Sequence, residues 1–167
     1  SLVAVFMYAG SMSTSQIVSA QANWWNAIPL FFSFFVFVVT MVGETNRLPF
    51  DLAEGEGEIV GGYFTEYSGM RFAMFFLAEY INMVTACAVA TDVYLGGWHG
   101  PFLPEGFGWI WFLAKVFALL FFYIWMRWTL PRYRYDQLME FGWKWLLPAS
   151  VVNLLVTAYL TITINGW

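Results

Sequence analysis

Four long, almost uninterrupted apolar runs decide what this chain can fold into. They are "AIPLFFSFFVFVVTMVG" (27–43), "FAMFFLAEYINMVTACAVAT" (72–91), "WIWFLAKVFALLFFYIWM" (109–126) and "WLLPASVVNLLVTAYLTIT" (145–163). A helix needs about 20 mostly apolar residues to cross the hydrocarbon core of a bilayer. Residues 1–9, "SLVAVFMYA", read as the end of a fifth such helix whose start lies upstream. The runs are too long for strands and lack sustained alternation. Breakers separate them: "GSMSTS", "GGWHGPFLPEGFG" and "LPRYRYD". The expected fold is all-α: a polytopic transmembrane helix bundle with four full transmembrane helices plus the end of a fifth. It forms a single membrane domain over residues 1–167, with an acidic loop at about 44–70.

Composition points the same way. The chain is 60% hydrophobic and 11% charged, whereas soluble chains carry roughly 25% charged residues. There is one cysteine, Cys87, and one histidine, His99. No disulfide can close within the chain, and iron–sulfur clusters or haems ask for more ligands than these. His99 has no second ligand nearby, so no metal is assigned. The net charge of −4 gives no basic footprint for nucleic acid. No basic region precedes the first apolar run, which therefore does not read as a signal peptide. The chain reads as a piece of a longer subunit.

Lys and Arg set the expected orientation. Arg47 and Arg71 flank one loop; Arg127, Arg132, Arg134 and Lys144 mark another. "DVYLGGWHGPFLPEG" and "GSMSTSQIVSAQANWWN" have none. Basic short loops stay in the cytoplasm, and acids scarcely count. Residues 44–70 and 130–144 are thus expected to be cytoplasmic, with 95–107 on the opposite side. Tryptophans near the run ends (Trp24, Trp25, Trp98, Trp109, Trp143, Trp145) fit interfacial belts.

Charges inside the apolar runs are costly, about 2.5–3.5 kcal/mol on insertion scales. Glu79 sits near the middle of the second run and Lys115 about two turns into the third. Structurally they read as a buried ion pair; functionally, as members of a proton path. Tyr80 and Asn82 can hydrogen-bond Glu79 or a water. Asp92 reads as a helix-end residue. The hydroxyl and amide residues of the runs, such as Thr85, Thr91, Asn153 and Thr157, read as interhelical hydrogen-bonding groups.

Between the first two full runs lies "GETNRLPFDLAEGEGEIVGGYFTEYSGMRF" (43–72). It gathers Glu44, Asp51, Glu54, Glu56, Glu58 and Glu66, against only Arg47 and Arg71, in a chain with 11 acids. Glu54, Glu56 and Glu58 alternate with glycines. Carboxylates this close raise at least one pKa and titrate as a set. Such a set can hold a proton near neutral pH; the plainer reading is a solvated acidic loop. "GEGEIVGG" is no dinucleotide fingerprint, because no strand precedes it.

"ETNRLPFDLAEGEGEIVGGYFTEYSGMRFAMFFLAEY", "YLGGWHGP", "WMRWTLPRYRYDQLMEFGWKWLLP" and "NLLVTA" together resemble the H-subunit family of the proton-pumping NADH–quinone oxidoreductases, respiratory complex I, in its carboxyl-terminal portion. Ala53 and Gly55 replace the family's usual Pro and Ala, and Phe64 a frequent His; the carboxylates stay in place. The resemblance implies a non-redox membrane subunit that helps form the quinone-binding cavity and couples quinone reduction to proton translocation. It implies that Glu44, Arg47, Asp51, Glu54, Glu56, Glu58, Glu66, Glu79 and Lys115 belong to the quinone cavity and proton path. Arg132, Arg134 and Asp136 would contact the peripheral arm. No residue is implied to be directly redox-active. Quinone would be the substrate; FMN, iron–sulfur clusters and NADH would belong to partner subunits of the membrane and peripheral arms. The implied location is the bacterial cytoplasmic (inner) membrane. Two alternatives remain open: a membrane subunit of a related hydrogenase or F420H2 dehydrogenase, and an ion-coupled secondary transporter or channel. The transporter would need broken helices or repeat symmetry.

Overall fold

The computed structural model describes residues 1–22, 24–45, 49–50, 68–100, 107–131 and 133–165. Helices form everything regular among them: α1 Leu2–Ala9, α2 Thr14–Ala20, α3 Phe31–Glu44, α4 Met70–Tyr94, α5 Gly108–Thr129, α6 Tyr135–Phe141 and α7 Leu147–Asn165. A π-helical turn, Gly142–Leu146, joins α6 to α7.

Among the described residues, three apolar helical stretches reach membrane-crossing length: Met70–Tyr94, Gly108–Thr129 and Tyr135–Thr163. The four full spans and partial fifth expected from the sequence are more than this. The run at 27–43 is where the count falls short. Pro29 has no N–H for the helical ladder and biases the residue before it away from helical geometry. Residues 26–30 form turns instead, and Ala27 N–H donates to the Tyr94 carbonyl at 2.9 Å. The helix proper has 14 residues, or about 21 Å of rise, short of a core about 30 Å thick. Residues 1–9 do not end in a plain loop either. After Gly10, in left-handed conformation at φ 68°, the chain re-enters a helix, and α1 and α2 meet at 66°. A fourth span exists only if that bent pair crosses as one.

Proline also sets the other boundaries. Leu130, before Pro131, is extended at ψ 137° and ends α5. The wide π turn lies where Pro148 cannot donate to the Lys144 carbonyl.

α4 packs along α5, α2 against α4, and α1 against both α3 and α7. Two apolar cores result. One joins Val5, Ile17, Leu30, Val93 and Tyr94. The other joins Met41, Val42, Phe50, Cys87, Ala90, Val116 and Tyr123. Tyr94 anchors the first: Phe34 and Phe37 lie 5.3 Å from it, and its hydroxyl meets Ser33 Oγ at 3.0 Å. The outer faces of α4, α5 and α7 carry large exposed apolar side chains such as Met74, Phe117, Phe121 and Leu155. That pattern suits a lipid-facing surface.

Candidate functional site

Among the described residues, the carboxyl end of α4 is the most heavily hydrogen-bonded place. A helix leaves its last carbonyls without intrahelical donors, and buried carbonyls need partners. Here each finds one. Thr91 O accepts from Leu95 N and Gly97 N. Gln21 Nε2 donates to Asp92 O at 3.0 Å and to Val93 O at 3.1 Å, besides Ile17 O in its own turn. Asn26 Nδ2 adds a second donor to Val93 O, and Gln21 Oε1 accepts from Asn26 N. Gln21 and Asn26 are only 1% and 4% exposed.

Lys115 completes this end from α5. Its Nζ donates to Leu95 O at 2.5 Å, His99 O at 2.6 Å and Gly97 O at 3.0 Å. An ammonium has three N–H donors and no acceptor, so all three are used. Nζ also lies 4.7 Å from the centre of the Trp25 ring, within cation–π range. Asp92 supplies a nearby negative charge. A cation at a helix carboxyl end also meets the negative pole of the helix dipole. The turn that presents these carbonyls needs glycine at 96 and 97, which have φ of 72° and 49°. A Cβ on Gly96 would fall 2.9 Å from Trp25, and one on Gly97 would fall 3.0 Å from Val18 and Asp92 Oδ1.

The Glu79–Lys115 ion pair weighed from the sequence does not form. Lys115 Nζ touches Leu95 O, and Glu79 lies about 24 Å back along α4 by helical rise. Glu79 is half-buried in the amino-terminal half of α4, with Tyr80 and Asn82 exposed beside it.

From Lys115 an apolar groove of about 630 Å³ runs between α3 and α5. Phe31, Phe34, Phe35, Val38, Val39 and Val42 form one wall; Ala118, Leu119, Phe122, Met126 and Leu130 form the other. Lys115 and Leu95 stand at one end, and Pro49, Phe50, Tyr133 and Phe141 at the other. From Lys115 to Leu130 the groove follows α5 for about 22 Å of helical rise.

That far end is where the acidic stretch is rooted. Thr45 Oγ1 meets Tyr123 OH at 2.9 Å. Tyr133 N donates to Pro49 O at 3.1 Å. Phe50, 8% exposed, stacks near Tyr133 and Phe141 with centroids 5.9 and 6.2 Å away. Glu44 is exposed at the last position of α3. Arg134 and Asp136 face each other at 3.8 Å, both largely exposed. Glu140 and Lys144 pair one turn apart. Arg47, Asp51, Glu54, Glu56, Glu58, Glu66 and Arg132 lie outside the described residues.

Sequence reasoning found Lys115 but not its partners, and it passed over Gln21, Asn26, Thr45 and Tyr123. Gln21 and Asn26 stand in a stretch that reads as loop, and they act on carbonyls some 70 positions away. The one available hint is the pair of amides beside Trp24 and Trp25.

A bundle of apolar helices with one polar-sealed end and a long apolar groove defines a polytopic membrane protein. Its sequence says which kind. Residues 1–158 match the NADH dehydrogenase family model. The chain is 56% identical over 163 residues to the H subunit of the NADH-quinone oxidoreductase of Streptomyces avermitilis, covering 92% of this chain and 36% of that relative. The chain belongs to the NADH dehydrogenase family, and it spans about a third of the length of the curated relative it matches.

Proposed function

We propose that this chain is part of a membrane subunit of an NADH–quinone oxidoreductase, that it helps form the quinone cavity, and that it couples quinone reduction to proton translocation. One observation carries the reading. The apolar groove ends at Pro49 and Phe50, and the next residue along the chain is Asp51, the first acid of the Asp51–Glu66 run. A groove of this lining admits an isoprenoid tail, and the head of such a molecule would arrive where the carboxylates begin.

The chemistry fits those residue types. A quinone becomes a quinol by taking two electrons and two protons. This chain has one cysteine and one histidine, so the electrons come from groups on partner subunits, where FMN and iron–sulfur clusters would also accept them from NADH. The protons and the response to charge fall to this chain. Glu54, Glu56 and Glu58 form a coupled set that redistributes protons as the quinone is reduced. Arg47 and Asp51 fix the stretch presenting them, with Glu44 and Glu66 at its margins. Glu79, inside the apolar part of α4, is the next carboxylate toward the membrane interior. Arg132, Arg134 and Asp136 serve the contact with the peripheral arm. The distribution of basic residues supports a cytoplasmic side here and the Leu95–His99 end opposite; the membrane would be a bacterial inner membrane.

The test is simultaneous replacement of Glu54, Glu56 and Glu58 by Gln. Coupled sites are not additive when removed, so the triple variant loses far more NADH–quinone activity than the three single variants together. Electron transfer from NADH to a water-soluble artificial acceptor stays intact, because it does not pass through this chain. Parental quinone reduction and pumping in the triple variant would reduce the acidic stretch to a solvated loop.

A further inference from the structure

We propose that Lys115 is a fixed electrostatic barrier to protons at the Leu95–His99 end of the bundle. This rests on the proton-coupling reading above, and it gives Lys115 a task other than carrying protons.

The geometry argues for a static cation. All three ammonium protons are spent on the carbonyls of Leu95, Gly97 and His99. A neutral amine has only two N–H groups and would leave one of these carbonyls without its donor. A proton carrier needs a partner that accepts what it releases. The acceptors at Nζ are backbone carbonyls, which do not titrate, and the fourth neighbour is the face of Trp25. Asp92 is the nearby carboxyl group. Lys115 itself is 8% exposed.

The surroundings argue for a barrier. Lys115 stands at the end of the α3–α5 groove, so anything travelling along that groove away from the acidic stretch meets a positive charge in a low-dielectric wall. A buried cation of this kind excludes protons and other cations, as a fixed Arg or the positive ends of half-helix dipoles do in water-selective pores. Behind it, Gln21 and Asn26 occupy the terminal carbonyls of α4 that could otherwise support a water file. A pump that drives protons across the bilayer loses its gradient through any unguarded wet seam, which gives such a seal its use.

The experiment uses the whole complex in sealed proteoliposomes. Passive decay of an imposed pH gradient is measured without NADH or quinone, beside uncoupled NADH–quinone turnover. Lys115→Gln retains two of the three donors without the charge, and it raises the leak roughly tenfold, equivalent to about 1.4 kcal/mol of barrier. Lys115→Arg keeps the charge and holds the leak near the parental rate. Lys115→Met, which lacks both charge and donors, leaks at least as much as Lys115→Gln; if it fails to assemble, the Gln and Arg variants decide alone. A Gln variant as tight as the parent overturns the barrier, and so does an Arg variant that leaks as the Gln variant does. A tight Gln variant that turns over but does not pump returns Lys115 to the proton path. Because the leak assay needs neither substrate, it reads the seal even if the acidic stretch takes no part in coupling.

Discussion

α4 has two ends of different character: its carboxyl end is sealed by side chains from distant parts of the chain, and its amino end follows the acidic stretch. At its carboxyl end the terminal carbonyls are met by Gln21, Asn26, Ala27 and Lys115, drawn from two distant parts of the chain. At its amino end Gly69 makes no side-chain cap, no acid sits in the first turn, and Met70 and Met74 are 79% and 64% exposed. The amino end follows the acidic stretch. Among the described residues, the side of the bundle that carries that stretch is joined by a hydroxyl pair, a backbone hydrogen bond and stacked rings.

Substitutions can break that contrast. The largest loss is expected from Gln21→Ala, which strips donors from Asp92 O and Val93 O and an acceptor from Asn26 N. Leaving buried groups unpaired costs about 1–3 kcal/mol each, and a net loss of about 3 kcal/mol is expected, read as a lower Tm of the detergent-solubilised complex. Gly97→Ala comes next. Its φ of 49° is left-handed and its new Cβ crowds Val18 and Asp92, for about 1–2 kcal/mol. Faster amide exchange confined to residues 95–99 is the expected signature. Tyr123→Phe is the mildest. It removes one hydroxyl partner from Thr45, which retains its bonds to the Met41 and Val42 carbonyls, so about 1 kcal/mol or less is expected. Equal Tm losses for Gln21→Ala and Tyr123→Phe would erase the difference between the two sides.

The helices were largely legible. Runs at 72–91 and 109–126 sit inside Met70–Tyr94 and Gly108–Thr129, because twenty apolar residues leave a chain few options in a bilayer. The run at 27–43 misled, since Pro29 and the Ala27–Tyr94 hydrogen bond take its first turn out of the helix. Lys115 was visible as an anomaly, but its partners were not. Its acceptors are carbonyls, which every residue carries, so no side-chain pattern announces them. Charge invited a search for an opposite charge, and Glu79 was the nearest acid by position in an apolar run. Gln21 and Asn26 illustrate the same blindness: a polar residue in a loop looks ordinary until the fold brings a helix end to it.

The π turn at Gly142–Leu146 has a consequence for how the last helix is indexed. Leu138 packs on the core around Phe50, while Thr157, further along the same rod, is buried at 2% exposure, on the helix that meets α1 and α3. Around a regular helix those two positions would point about 100° apart. A π turn absorbs one extra residue, which is about 100° of rotation, and so brings them back onto one line. The turn works as a phase correction, letting two segments with different registers share a single rod. It follows that one residue of 142–146 is surplus to the register of the two segments. Deleting one residue there would leave a regular helix with Leu138 and Thr157 still on one line, whereas adding one would rotate Tyr135–Phe141 off Phe50 by about 100° as a block; substitutions at the exposed Trp143 or Trp145 would leave both registers intact.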